Sequence, residues 1–367
     1  MKITKIDLHI IEMKLKTPFV TSLGKVTNRR GIIVEIHDET RATGLGEAVA
    51  FSTPWYTEET VETCFHIIKD VLAPLVLNRS FEHPEELFDR MKTVRKNPMA
   101  KASIDMAVWD LYAKLLGQPL HKLIGGTREN VLAGVVIGAH SIREMLQQIE
   151  RARQDGYNRV KIKIGPGKDE KWIRVIQESY PDMDILADAN SSYTQNEELL
   201  LKLDDLGLQM IEQPLSQDDL VDHAALQKKM KTPICLDESI TSLHAAKSAI
   251  LLNSCKMINI KIGRVGGLTE AIRIHNLCQE HGIQVWCGGM LEFGVSRAHN
   301  VALATLPGFS IPGDISSSSR YWEEDITSTD IIVKDGTIFP FKGVGIGVEL
   351  NRERLKQVRI HHEIIYK

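Results

Sequence analysis

Val160-Lys161-Ile162-Lys163-Ile164 alternates strictly between apolar and basic side chains. In a β-strand this pattern sends both lysines to one face and the apolar residues to the other. From Lys163 onward, charged residues recur at a fixed step: Lys163, Asp188, Glu212, Asp237 and Lys261 are separated by 25, 24, 25 and 24 residues. Each ends a short apolar run, the later four being Asp184 to Asp188, Met210 to Glu212, Ile234 to Asp237 and Met257 to Lys261. Such a step matches one βα repeat, so the five charges occupy the same place, the C-terminal end, in consecutive strands. Runs at Leu132 to Ile137, Gln284 to Cys287 and Phe309 to Gly313 complete eight candidate strands. Eight repeats, with no Gly-rich phosphate fingerprint after the first strand, favour a closed TIM-type (β/α) barrel over an open doubly wound sheet.

Working outward, the first third reads as α+β. Ile3 to Leu15 and Gly31 to Glu47 are strand-like, the second broken by a turn at His37 to Gly44. Helices are expected at Thr57 to Leu77, with Thr57 as cap and Glu58 and Glu59 in the first turn, at Pro84 to Thr93 and at Ala100 to Leu116. Gly125-Gly126 marks the boundary, giving an α+β domain over 1–125 and a barrel over 126–320. The C-terminal segment 321–367, with strand-like Ile331 to Val333 and the glycine-rich stretch 343–347, is expected to fold back onto the first domain.

Hydrophobic residues at 43% and charged residues at 25% over 367 positions are ordinary globular values. The 45 basic and 48 acidic side chains give a formal net charge of -3 without like-charged blocks, so neither a nucleic acid nor a membrane surface is an expected partner. Five cysteines, odd in number and never in a C-x-x-C, argue against a disulfide framework or a zinc knuckle and are read as reduced, mostly buried thiols. The N-terminus MKITKIDLHIIEMKLKTPF carries charges throughout and lacks the apolar run of a signal peptide, so a cytoplasmic location is expected.

Three carboxylates on neighbouring strands, Asp188, Glu212 and Asp237, suit a hard divalent cation, Mg2+ or Mn2+, whereas zinc prefers His or Cys. Lys163 on the second strand and Lys261 on the sixth face each other across the mouth. A like-charged neighbour, Lys161, and a nearby metal are both expected to lower the pKa of the lysine pair, which suits Lys163 as a general base. Removing a proton next to a carboxylate builds a second negative charge on its oxygens, and a bound divalent ion stabilises that charge. A single charge at a strand end needs no special explanation, because loops begin there. Five of the right chemical type in register do.

These residues resemble the enolase superfamily, muconate-lactonizing subgroup, a group already known to pair a Lys or His base with Mg2+. The branch matched is that of the o-succinylbenzoate synthases and the N-succinylamino acid and N-acylamino acid racemases. The resemblance covers nearly the whole chain. It rests on Lys161-Ile162-Lys163, Asp188-Ala189-Asn190, Ile211-Glu212-Gln213-Pro214, Leu236-Asp237-Glu238-Ser239, Lys261 with Arg264-Val265-Gly266-Gly267, and Gly288-Gly289-Met290-Leu291-Glu292.

The resemblance implies an N-terminal α+β capping domain, completed by the C-terminal segment, whose loops at Thr17 to Val26 and Phe51 to Tyr56 close over the barrel. It also implies that Asp188, Glu212 and Asp237 bind Mg2+, with Mn2+ as an alternative, and that Lys163 is the acid/base catalyst. In the synthase a syn dehydration of 2-succinyl-6-hydroxy-2,4-cyclohexadiene-1-carboxylate gives o-succinylbenzoate, a menaquinone precursor, through an enediolate. Lys261 stays cationic there, whereas in a racemase the two lysines exchange roles on opposite faces. The expected partners are a small-molecule carboxylate substrate and further copies of the chain, as a dimer or octamer.

Lys161, Asn190, Glu238 and Arg264 are expected to support this centre, Lys161 by tuning Lys163 or orienting a carboxylate. Trp55, Tyr56, Gly289, Met290 and Phe293 are the expected substrate contacts. Two departures from the family pattern are Ile262 in place of Pro and Phe293 in place of a small residue, the latter expected to narrow the pocket. His275, His281 and His299 fall outside the barrel and read as structural, and the Ser316 to Ser319 run reads as a solvated loop after the eighth strand.

Overall fold

The computed structural model describes residues 1–21, 24–167 and 169–366, without side chains over 19–25. The expected loop Thr17 to Val26 therefore lies partly outside the described residues. Strands β1 (Ile3–Thr21), β2 (Gly24–Asp38) and β3 (Thr43–Ala48) form an antiparallel sheet, and the chain's last strand, Arg359–Tyr366, pairs with β1 at its other edge. Inward residues such as Ile6, Leu8, Ile32 and Val34 are fully buried. Helix α1 (Pro98–Leu115) lies across this sheet, and β3 approaches it backbone to backbone. A Cβ on Gly46 would sit 1.9 Å from the Ser103 carbonyl oxygen, which explains the glycine.

The helical run after β3 starts later than the sequence suggests. Its cap is Thr60, in a capping box with Thr63, and not Thr57. Glu59 is diverted to accept from the backbone N–H groups of Met99 and Ala100, at 2.7 and 3.0 Å, where α1 begins. Ile331 to Val333 is likewise no strand. It is tied as a loop to Ser317 and Ser318, and Ser316 and Ser318 are buried where a solvated run was expected.

The barrel strands are β4 (Val135–Ile137), β5 (Arg159–Lys163), β6 (Asp184–Asp188), β7 (Ile211–Glu212), β8 (Ile234–Leu236), β9 (Met257–Ile260) and β10 (Gln284–Cys287), parallel and in chain order. The expected eighth strand is reduced to bridges, Phe309 with Val285 on one side and Gly313 with Ala133 on the other. Pro312 has no N–H to give a ladder, so the segment closes the ring at points and not along its length. Leu186, Met210, Cys235, Met257 and Trp286, in or just before the strands, form a separate apolar cluster.

Two barrel helices, α2 (Leu268–Glu280) and α3 (Gly294–Leu303), begin without a side-chain cap of their own. The capping domain supplies one. Asp105 on α1 accepts from Thr269 N and Oγ1 at 3.0 and 2.7 Å, and Glu47 on β3 accepts from Phe293 N and Ser296 N, both at 2.9 Å. A carboxylate at a helix N-terminus satisfies orphan donors and meets the positive end of the helix dipole. His299 is buried and donates to the Leu45 carbonyl, and His275 accepts from Gly308 N, so both are structural.

Burial pushes the Glu47 carboxyl up to about 8 and Asp105 up to about 7, against the lowering effect of their N–H donors. A carboxyl whose folded pKa is raised binds more protons folded than unfolded, so its stabilisation is lost as pH rises from its unfolded pKa through the folded one. Unfolding free energy measured by urea titration is therefore expected to carry a falling component between about pH 4.5 and 8. Glu47→Gln should flatten that slope. An unchanged slope would show that Glu47 titrates normally.

Candidate active site

Lys163, Asp188 and Glu212 end β5, β6 and β7, and Asp237 and Lys261 directly follow β8 and β9. All five are brought to one end of the barrel, where Lys163, Asp188 and Lys261 line a cavity of about 420 Å3 and Glu212 and Asp237 are joined to its lining through Lys161 and Lys261. Phe51, Trp55 and Tyr56, from the segment after β3, line it from the capping side, and Gly289, Met290 and Leu291 line it after β10. Gly288 is needed for close approach: a Cβ there would meet the Asn259 side chain at 2.2 Å and Lys261 Cε at 2.7 Å.

Each of the site's three lysine nitrogens has hydrogen-bond partners. Lys163 Nζ donates to Asp188 Oδ2 at 2.7 Å and to Asn190 Oδ1 at 2.6 Å, and Asn190 Nδ2 donates on to Glu238 Oε1 at 2.9 Å. Lys261 Nζ donates to Asp237 Oδ2 at 2.8 Å and to Tyr56 Oη at 2.9 Å. Lys161 Nζ donates to Glu212 Oε2 at 2.6 Å and lies 2.8 Å from Asp314 Oδ2 and 3.2 Å from Asp188 Oδ2. Below it the Trp286 ring centroid is 4.8 Å away, a cation–π contact. Arg264 is fully buried, pairs with Asp237 Oδ1 and donates to the carbonyl of Ile240 at 2.8 Å.

The expected lowering of the lysine pair is not what Lys161 shows. Burial by itself would lower its pKa, but Asp314, Glu212 and Asp188 outweigh burial and hold it above the ordinary lysine value. Lys161 is a fixed cation that gathers carboxylates. Lys261 is raised too: burial opposes this, and Tyr56, Glu212 and Glu238 prevail. Burial would raise Asp188, yet Lys163 and Lys161 bring it below the usual carboxylate range. Glu212 and Glu238 go the other way, pushed up by burial and then by the neighbouring Asp188 charge.

Phe293 does not line the cavity. It is fully buried, packs on Trp322 with ring centroids 5.0 Å apart, and reaches within 2.9 Å of where a Gly31 Cβ would stand. As the residue before α3 its side chain belongs to the seam between domains, so the expected narrowing of the pocket is withdrawn. The segment expected to be the loop Thr17 to Val26 is strand wherever it is described, in β1 and β2, and its Thr17 and Pro18 line a neighbouring cavity that shares only Val136 and Tyr321 with the central one.

Asn259, Asp314, Arg297 and Tyr321 were not singled out as site residues. Asn259 Nδ2 donates to Glu212 Oε1 at 2.7 Å, and against its burial Lys161 and then Arg159 hold Asp314 down to about 2. Asn259 stands two residues before Lys261, as Lys161 stands two before Lys163, and that period was a usable signal. Arg297 and Tyr321 reach the cavity from α3 and from the C-terminal segment, where no repeat marks them.

Residues 5–125 match the family described as mandelate racemase/muconate lactonizing enzyme, N-terminal domain, and residues 144–354 match the enolase C-terminal domain-like family. The chain belongs to the enolase superfamily. It is 53% identical to an o-succinylbenzoate synthase of Bacillus subtilis (strain 168), over 97% of this chain and 96% of the relative. It is 45% identical to an N-succinylamino acid racemase of Thermus thermophilus, over 98% of both. A crystal structure of an enolase superfamily member from Listeria innocua superposes with a TM-score of 0.97 at 42% identity, covering 100% of this chain and 99% of that one. No helix among the described residues is long and apolar enough to cross a membrane.

Replacing Lys161 leaves Glu212, Asp188 and Asp314 buried without their shared cation. Lys161→Met is expected to cost about 3–5 kcal/mol in unfolding free energy by chemical denaturation. A loss below about 1 kcal/mol would show that the carboxylates do not depend on it.

Proposed function

We propose that the protein is an o-succinylbenzoate synthase of menaquinone biosynthesis, catalysing syn dehydration of 2-succinyl-6-hydroxy-2,4-cyclohexadiene-1-carboxylate. The same site racemises N-succinyl amino acids. The observation that carries this reading is one cavity whose walls present Lys163 and Lys261 from strand positions four apart, with the Asp188 and Glu238 carboxyls in the same walls. Relatives that bear those two activities as names, at 53% and 45% identity, support it.

Lys163 takes the proton alpha to the substrate carboxylate and, in the dehydration, returns it to the departing hydroxyl on the same face. Asn190 and Asp188 fix its nitrogen. Lys261, held as the ammonium, faces the growing negative charge from the other side. Met290, Trp55 and Tyr56 enclose the apolar part of the substrate and exclude water, and Lys161, Glu238 and Arg264 hold the charged groups in place.

Asp188, Glu212 and Asp237 are the residues that would hold a divalent cation, Mg2+ in this reading. The donor set fits a hard ion: it is all oxygen, it excludes His and Cys, and Glu238 Oε2 beside it is buried without a hydrogen-bond partner. In the structure the three carboxylates are spent on Lys163, Lys161, Lys261 and Arg264, and no metal-holding cluster of His, Cys, Asp and Glu occurs among the described residues. Each carboxylate oxygen has a second lone pair, so an ion would share these groups with the cations that already hold them. A bound ion supplies positive charge to the substrate carboxylate as the alpha proton leaves. A homo-oligomer in the cytoplasm completes the proposal.

Steady-state rates on the cyclohexadiene acid and on N-succinyl amino acids, measured side by side, test the reading, and activity on neither would end it. Lys163→Ala is expected to lower dehydration by at least about 10²-fold. Dehydration retained near the parent rate would remove Lys163 as the base. Chelation should abolish activity and Mg2+ restore it, whereas undiminished turnover after exhaustive chelation would remove the three carboxylates as ligands.

A further inference from the structure

The two facing lysines are held alike but anchored differently. A tetrahedral lysine nitrogen has three positions besides its bond to Cε. On Lys163 two of them point to Asp188 and Asn190, at 2.7 and 2.6 Å, both supplied by the barrel at the end of β6. On Lys261 two point to Asp237 Oδ2 and Tyr56 Oη, at 2.8 and 2.9 Å. Asp237 belongs to the barrel, but Tyr56 belongs to the segment that follows β3 in the capping domain. Each nitrogen keeps one position for the proton it exchanges with the substrate.

Tyr56 is well fixed for such a task. Its hydroxyl lies 3.3 and 3.4 Å from the two Asp237 carboxylate oxygens and can donate to that group while accepting from Lys261. Arg264 Nη1 lies 3.4 Å from the same oxygen. The Lys261 ammonium stands 4.7 Å from the Tyr56 ring centroid, and Trp55 and Phe51 pack edge-on against that ring at 5.9 and 6.4 Å. The hydroxyl cannot leave Lys261 without disturbing the aromatic roof of the cavity.

We propose that Tyr56 is a positioning residue that aims Lys261 at the alpha carbon, so that proton delivery from this face requires the capping domain, whereas Lys163 is aimed by the barrel alone. The inference rests on the racemase half of the function proposed above. Neutral Lys163 takes the alpha proton, the C–H bond breaks, and its electron pair moves into the carboxylate. The carbon is then reprotonated either by Lys163, with retention, or by the Lys261 ammonium, with inversion. The two lysines regain their starting protonation by exchange with water.

The partition between these outcomes is the readout. One enantiomer of an N-succinyl amino acid is incubated in D2O. Loss of the alpha-proton NMR signal counts abstraction, and polarimetry counts inversion. The enantiomer used is the one whose exchange survives Lys261→Ala, because its alpha proton faces Lys163. Tyr56→Phe keeps the ring and removes only the hydroxyl. It is expected to lower inversion per exchange event by about tenfold, the effect of losing one well-placed hydrogen bond.

A merely structural or lid role lowers inversion and exchange together, and an unchanged ratio in Tyr56→Phe overturns the proposal. Parent enzyme that forms o-succinylbenzoate but neither exchanges nor inverts N-succinyl amino acids also overturns it, while leaving the synthase reading intact. Parent enzyme with neither activity overturns both.

Discussion

Compensation of buried charge governs this molecule. Lys161 is buried beneath the cavity with Glu212, Asp188 and Asp314 around it, and no member of the group is affordable alone. The strand ends must therefore stay in register, since a slip of one residue in β5 would turn Lys161 and Lys163 toward the helices and Val160 and Ile162 toward the carboxylates. The geometry needed for catalysis and the geometry needed to keep charges paired are the same. A site with this much ionic attraction holds its side chains in place before any substrate arrives.

The same rule operates between the domains. Glu47, Asp105 and Asp110 are buried carboxyls of the capping domain whose burial favours the neutral form and whose oxygens are met by hydrogen-bond donors. The first two meet barrel helix starts, and Asp110 accepts from Leu45 N and Ile346 N at 2.9 and 2.8 Å, tying in the C-terminal segment. Arg29, also buried, donates to the Ala50 and Leu291 carbonyls at 2.7 and 3.2 Å and so joins the cavity roof to the loop after β10. The roof that carries Tyr56 is thus fastened on both sides.

Much of this was legible in the sequence because the barrel repeats. The step of 24 or 25 residues located five charged positions, and the alternation in β5 told which way its lysines face. Non-repeating features were harder. The eighth strand is broken by Pro312, and Phe293 turned into the interdomain seam because it precedes α3, where Glu47 takes its N–H. Glu59 resembled a first-turn residue of the following helix, yet its partners lie 40 residues away in sequence at Met99 and beyond. The direction of the Lys161 shift was missed since it depends on Asp314, which arrives from the far edge of the ring.

The helix starts at Thr269 and Phe293 complete themselves with side chains from another part of the chain. Neither the capping domain nor the barrel caps its helices alone: the starts at Thr269 and Phe293 take their acceptors from Asp105 and Glu47 across the seam. The two should melt as a single cooperative unit. Exchanging the capping domain with that of a relative is then a matter of matching helix ends as well as pocket shape, so substrate range and stability are inherited together.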